Sequence, residues 1–141
     1  DLVVATESSF FTLAYCHLGT SPDGGSTFSL PRVTGMKRAM EIALLGDRFD
    51  AASAHSWGLI NRVVGDEEME SETETLAARL AAGPTHAYAR TKALMNESLS
   101  NTLNQQLDAE TVAFADCAVS DDFSEGVAAF NAKRKPEFKG R

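Results

Sequence analysis

The chain predicts an α/β fold whose strands come early and whose helices come late. Short apolar, β-prone runs at Leu2–Ala5, Phe10–Ala14 and Leu59–Val64 all lie before residue 65. From Glu67 onward, apolar residues recur at helical spacing and are punctuated by Gly83-Pro84 and Pro136. A length of 141 residues with 43% apolar and 23% charged residues is ordinary for one domain with a buried core. The asymmetry suits the back half of an α/β fold better than a free-standing symmetric domain.

The elements follow in order. Leu2–Ala5 is a strand ending in the polar turn Thr6–Ser9, and Phe10–Ala14 is a second strand. A loop through Gly19 and Pro22 leads to a helix over 25–30, which Pro31 interrupts. Gly35 precedes a second helix, Met36–Leu45, where Ala39, Met40, Ala43 and Leu44 share a face, and Gly46 stops it. Asp50 is the N-cap of a short helix through Trp57 that Gly58 ends. Trp57 reads as a core or helix-face aromatic. Leu59–Val64 is the third strand. Helices are then predicted over Asp66–Ala82, Thr85–Leu99, Thr102–Val119 and from Asp121 to about Arg134. Acidic residues crowd the start of the first of these, where the helix dipole favours them. Ser120-Asp121-Asp122 supplies capping groups for the last.

A net charge of -7 argues against a nucleic-acid binder. The charge is uneven, because five of thirteen basic residues, Lys133, Arg134, Lys135, Lys139 and Arg141, fall in the last nine positions. They are either a solvated basic helix end or a site for a phosphorylated ligand. Cys16 and Cys117 show no C-x-x-C spacing, so neither a disulfide framework nor a metal site is indicated, and a reducing, cytoplasmic compartment is the default. His17, His55 and His86 are scattered. Cys16 and His17 are neighbours, which on a strand point to opposite faces. No apolar run reaches the roughly 18 residues a bilayer span needs.

The most informative stretch is Leu18-Gly-Thr-Ser-Pro-Asp-Gly-Gly-Ser-Thr-Phe-Ser-Leu-Pro-Arg-Val-Thr-Gly-Met-Lys-Arg-Ala-Met-Glu41. Its Asp23 is either a turn or N-cap carboxylate or an acid–base group projecting into a cleft. The stretch is followed by Leu44-Leu-Gly-Asp-Arg-Phe-Asp-Ala-Ala-Ser-Ala-His-Ser-Trp-Gly-Leu-Ile-Asn-Arg-Val-Val64. The chain opens with Asp1-Leu-Val-Val-Ala5 and closes with Glu125-Gly-Val-Ala-Ala-Phe-Asn-Ala-Lys-Arg-Lys-Pro-Glu-Phe-Lys-Gly140. No one of these blocks is specific, but their ordered series resembles the crotonase (enoyl-CoA hydratase/isomerase) superfamily over nearly the whole chain.

The resemblance implies the C-terminal half of a crotonase-type ββα spiral, with residues 1–65 in the α/β core and 66–141 as a helical region for oligomerisation and coenzyme A contact. The family's N-terminal half has no counterpart here, and the chain opens without an initiator Met. The resemblance also implies an acyl-CoA enzyme of fatty-acid metabolism that assembles as a homotrimer or hexamer. No metal or redox cofactor is implied, since coenzyme A arrives as part of the substrate. Asp23 matches the aspartate that performs proton transfer or nucleophilic attack in several members, including enoyl-CoA isomerases. The hydratases' second glutamate falls in a Pro-Glu pair that is Ala14-Tyr15 here, and tyrosine cannot act as that base at neutral pH without a large pKa shift. Tyr15 reads as a pocket wall, or as a half-buried strand aromatic with its hydroxyl hydrogen-bonded. Phe114 and Lys133 match the aromatic and the lysine that meet the adenine and phosphate end of coenzyme A. The two oxyanion-hole N–H groups of the family lie on segments upstream of Asp1. The expected reaction is a double-bond shift resting on Asp23. The alternatives are a hydratase with an altered second acid and a non-catalytic protein that keeps the fold for binding.

Overall fold

A computed structural model describes residues 1–141. The chain divides into two compact units, Asp1–Glu74 and Thr75–Arg141.

In the first unit, β1 (Val4–Thr6) pairs in parallel with β4 (Arg62–Val64), Ala5 opposite Val63. The pair β2 (Phe10–Phe11) and β3 (Phe49–Asp50) is antiparallel. The short helix α2 (Ala51–Ser56) begins where Asp50 accepts the Ser53 N–H at 2.8 Å, the N-cap the sequence predicts. That bond to the charged form holds the Asp50 carboxyl below its usual range. Ala51 and Ala54 of α2 are buried with Ala5 and Ile60, and Phe11, Phe49, Leu59 and Val63 close around them. This core is built on small side chains, so the elements approach closely. Phe49 stacks on Phe11 (5.7 Å) and meets Trp57 (4.9 Å), over which the Arg38 guanidinium lies at 4.2 Å.

Two expectations fail here. The run Phe10–Ala14 is a strand only at Phe10–Phe11, and Ala14–Leu18 is a 3-10 turn ending at Gly19 in the left-handed region. Successive side chains on such a turn are about 120° apart rather than opposed. Cys16 and His17 therefore do not face opposite ways. Both abut Gly46, where a Cβ would lie 2.6 Å from Cys16 Sγ and 2.9 Å from His17 Nε2. Gly46 also has φ +66°, so this helix stop admits only glycine on two counts. The second failure is Pro31, which does not interrupt its helix. Helix α1 runs Ser26–Leu45 through Pro31, and helical geometry breaks at Gly35 (φ 76°, ψ 158°) instead. Proline's fixed φ is helical, so it costs one N–H bond. Nearby carbonyls are taken by side chains: Arg32 Nη1 donates to Phe28 O at 2.8 Å and Thr34 Oγ1 to Leu30 O at 3.0 Å.

A 3-10 turn at Asp66–Glu68 leads into α3 (Met69–Ala81), within which the division between units falls. In the second unit, α4 (Thr85–Ser98) and α5 (Leu103–Ala118) pack together. Asp116 joins them, accepting from Arg90 Nε at 2.6 Å and pairing with His86 Nε2 at 2.7 Å. Those partners, Arg90 foremost, hold the Asp116 carboxyl low. A capping box of Thr102 and Gln105 opens α5. Ser120 caps α6 (Asp121–Asn131) through the Phe123 N–H at 3.1 Å.

The last helix ends at Asn131, short of Arg134, on a double bond: Arg134 N–H to Ala129 O (3.0 Å) and Lys133 N–H to Phe130 O (3.2 Å). This is the Schellman arrangement, and Lys133 takes its left-handed position at φ 52° where glycine is usual. Beyond it the tail turns back. The Asp122 carboxylate, 5% exposed, accepts the N–H groups of Lys139 (2.6 Å) and Gly140 (2.8 Å), and its own N–H donates to Arg141 O (2.9 Å). Asp122 thus serves the tail rather than the helix cap. No helix is long and apolar enough to cross a membrane.

Candidate active site

The turn Pro22-Asp23-Gly24-Gly25 leads into α1. Gly25 is the N-cap residue, left-handed at φ 79°, and no side chain caps the helix. The Asp23 backbone does the local work: its carbonyl accepts the Ser26 N–H (3.1 Å) and the Ser26 hydroxyl (2.7 Å). Its carboxylate is thereby left out of the helix start, so the capping alternative for Asp23 is not realised. Instead the Tyr15 hydroxyl donates to Asp23 Oδ1 at 2.5 Å. The hydrogen bond, and then the repulsion a phenolate would meet, push the Tyr15 phenol above its ordinary value, so it stays a protonated donor. Asp23 is exposed within this chain.

Tyr15 sits on the 3-10 turn, not on a strand, and half-buried. With Ala14, His17 and Leu18 it lines an apolar recess of about 340 Å³. It is thus a recess wall whose hydroxyl is committed to Asp23. Sequence reasoning found both residues but not their pairing. They are eight positions apart across a glycine-containing loop, and no periodicity reports such a contact.

The residues matched to coenzyme A lie in the second unit. Phe114 is on α5, 66% exposed, with its ring edge-to-face on Phe123 at 6.1 Å. Lys133 lies just past α6 rather than on it, and is exposed. The basic tail is not uniformly solvated. Arg134 grips Glu125 through two bonds of 2.6 and 2.8 Å, and Arg141 lies 3.6 Å from Asp121. Lys133 and Lys135 form no ion pair. No group of three or more His, Cys, Asp or Glu side chains is placed to hold a metal ion.

A short loop thus presents a carboxylate with one oxygen hydrogen-bonded, on a scaffold of two short β-pairs and helices. The family model for enoyl-CoA hydratase/isomerase matches residues 1–141. The chain is 44% identical over 141 residues to 1,2-epoxyphenylacetyl-CoA isomerase of Escherichia coli (strain K12), covering 100% of this chain and 54% of that protein. It is 42% identical over the same length to a probable enoyl-CoA hydratase of Rhodobacter capsulatus, covering 55% of it. The crystal structure of a putative enoyl-CoA hydratase/isomerase from Mycobacterium abscessus superposes with a TM-score of 0.95 at 38% identity, over 100% of this chain and 54% of that one. The chain belongs to the enoyl-CoA hydratase/isomerase family, the crotonase superfamily, and spans about half the length of the relatives it matches.

Proposed function

We propose that this chain is part of an acyl-CoA-processing enzyme, an enoyl-CoA double-bond isomerase that works through a thioester enolate with Asp23 as acid and base. The observation that carries the reading is the Asp23 carboxylate, which is excluded from helix capping and keeps Oδ2 available while Oδ1 accepts from Tyr15. Asp23 removes a proton from the carbon next to the thioester carbonyl of a 3-enoyl substrate. The electron pair moves into the dienolate, and Asp23 returns the proton at the far carbon to give the 2-enoyl product. The similarity to a protein named as an isomerase supports the same reading. Phe114 offers an exposed ring for adenine and Lys133 an unpaired ammonium for a phosphate. The working protein is a cytoplasmic homotrimer or hexamer.

A hydratase with an altered second acid is the second reading, and the similarity to a probable hydratase favours it. Against it, a neutral Tyr15 stands where the second carboxylate would be. Incubating the full-length enzyme with 3-enoyl-CoA and with 2-enoyl-CoA separates the two. Isomerisation converts the first into a conjugated thioester of unchanged mass. Hydration adds one water to the second and removes conjugation, and that result as the dominant activity overturns the proposal.

A further inference from the structure

We infer that Tyr15 is a positioning residue for Asp23: its hydroxyl holds Oδ1 through the whole cycle and so assigns proton transfer to Oδ2. The inference rests on the isomerase reading given above. Tyr15 and Asp23 are 2.5 Å apart, oxygen to oxygen, and each is carried by a backbone that is itself tied down. On the Tyr15 side, the Gly19 N–H bonds Cys16 O at 3.1 Å and the Thr20 N–H bonds Tyr15 O at 3.2 Å. The same turn abuts Gly46 through Cys16 and His17, and His17 Nε2 lies 3.3 Å from Leu45 O at the end of α1. On the Asp23 side, Ser26 holds the Asp23 carbonyl to the first turn of α1. What remains free at Asp23 is side-chain rotation, and one strong hydrogen bond removes most of it.

The bond suits both halves of a proton shuttle. When Asp23 is a carboxylate, Oδ1 accepts from Tyr15 and Oδ2 takes the proton from carbon. When Asp23 is the neutral acid, Oδ1 is its carbonyl oxygen and still accepts from Tyr15, while Oδ2–H gives the proton back. Tyr15 keeps its own proton throughout, as its raised pKa permits. Few other groups compete for this role. On the 3-10 turn the titratable neighbours are Cys16 and His17, which pack at Gly46. On the first half of α1 the charged residue is Arg32, whose guanidinium lies over Phe28 and donates to Phe28 O.

The test is the split between kcat and KM in the full-length enzyme carrying Tyr15→Phe, assayed on 3-enoyl-CoA. Turnover should fall about tenfold, and KM should stay within about twofold, because only the orientation of Asp23 changes. Replacing Tyr15 by 3-fluorotyrosine, which keeps the hydroxyl and its hydrogen bond, should leave turnover within about twofold of the parent. Parental turnover in Tyr15→Phe, or a loss with 3-fluorotyrosine as large as with Tyr15→Phe, overturns the positioning role. Asp23→Asn, run beside them, distinguishes the failures. If that variant keeps near-full turnover the isomerase reading itself is wrong, whereas if it is inactive and Tyr15→Phe turns over like the parent, only Tyr15 has been misassigned.

Discussion

Lys133 holds a left-handed backbone at the end of α6, at φ 52°, where glycine costs nothing. A non-glycine residue there costs about 1 kcal/mol. Lys133→Gly should therefore raise stability by up to about 1 kcal/mol, read by thermal unfolding. If the ammonium meets a phosphate, the same change weakens acyl-CoA binding several-fold, more at low salt than at high. Pantetheine thioesters, which lack that phosphate, should bind unchanged. Equal losses on both ligand types would place Lys133 in folding instead. At this scale the sequence was informative in kind but not in contact. The residue types of Asp23, Tyr15, Phe114 and Lys133 were visible, and so was the resemblance that ranks them. The Tyr15–Asp23 bond, the Arg134–Glu125 pair and the strain at Lys133 were not, because each depends on a turn whose geometry no spacing encodes.

Among the elements, the C-terminal tail is the one whose role the sequence left open. It is held by Asp122, and Phe138 lies against Gly126 on α6, where an added Cβ would be 3.6 Å from its ring. Asp122→Ala should cost about 2–3 kcal/mol, since two backbone N–H groups lose a charged acceptor, and should expose the tail to proteolysis. Loss of less than about 0.5 kcal/mol, the range of an ordinary surface change, would show that the tail is not latched. The neighbouring Glu125 is held down to about 2, first by Arg134 and then by the Glu137 N–H. A folded-state value below the ordinary 4.5 stabilises the protein above that pH, and the contribution drains away as pH falls toward 2. In acid titration, Glu125→Gln should remove that part of the pH dependence and leave the neutral-pH slope unchanged. Caps and breaks were mostly legible: Asp50, Ser120 and Gly46 act as their residue types predict. Pro31 misled because a proline's fixed φ is compatible with a helix; the break falls at Gly35, just before the second helix that the sequence predicts over Met36–Leu45.

Over the whole molecule, the buried apolar residues are few, five alanines and two isoleucines, and no large side chain is fully buried. Met36, Met40 and Leu44, spaced at i, i+4 and i+8 along α1, are 60%, 51% and 68% exposed. A parallel pair such as β1–β4 is ordinarily covered on both faces. The chain made alone should therefore self-associate or aggregate at micromolar concentration and bind a hydrophobic dye. A monomeric, cooperatively folded and active product starting at Asp1 would contradict that. The same exposed surface fits the trimer or hexamer proposed for the full-length protein, which sedimentation as a monomer would exclude. The α/β order, strands first and helices after, was legible because periodicity reports it directly. The thinness of the core was not, because 43% apolar residues give no hint of how many find partners within the chain.

The central claim is that the Asp23 carboxylate moves the proton. The measurement that tests it most directly is turnover and binding of the Asp23→Asn variant on 3-enoyl-CoA, in the full-length enzyme. The amide keeps the shape of the side chain and its oxygen for Tyr15, but has no basic oxygen. The account predicts a fall in kcat of roughly three powers of ten, with acyl-CoA affinity within about threefold of the parent. Near-parental turnover would contradict it and return Asp23 to a turn residue.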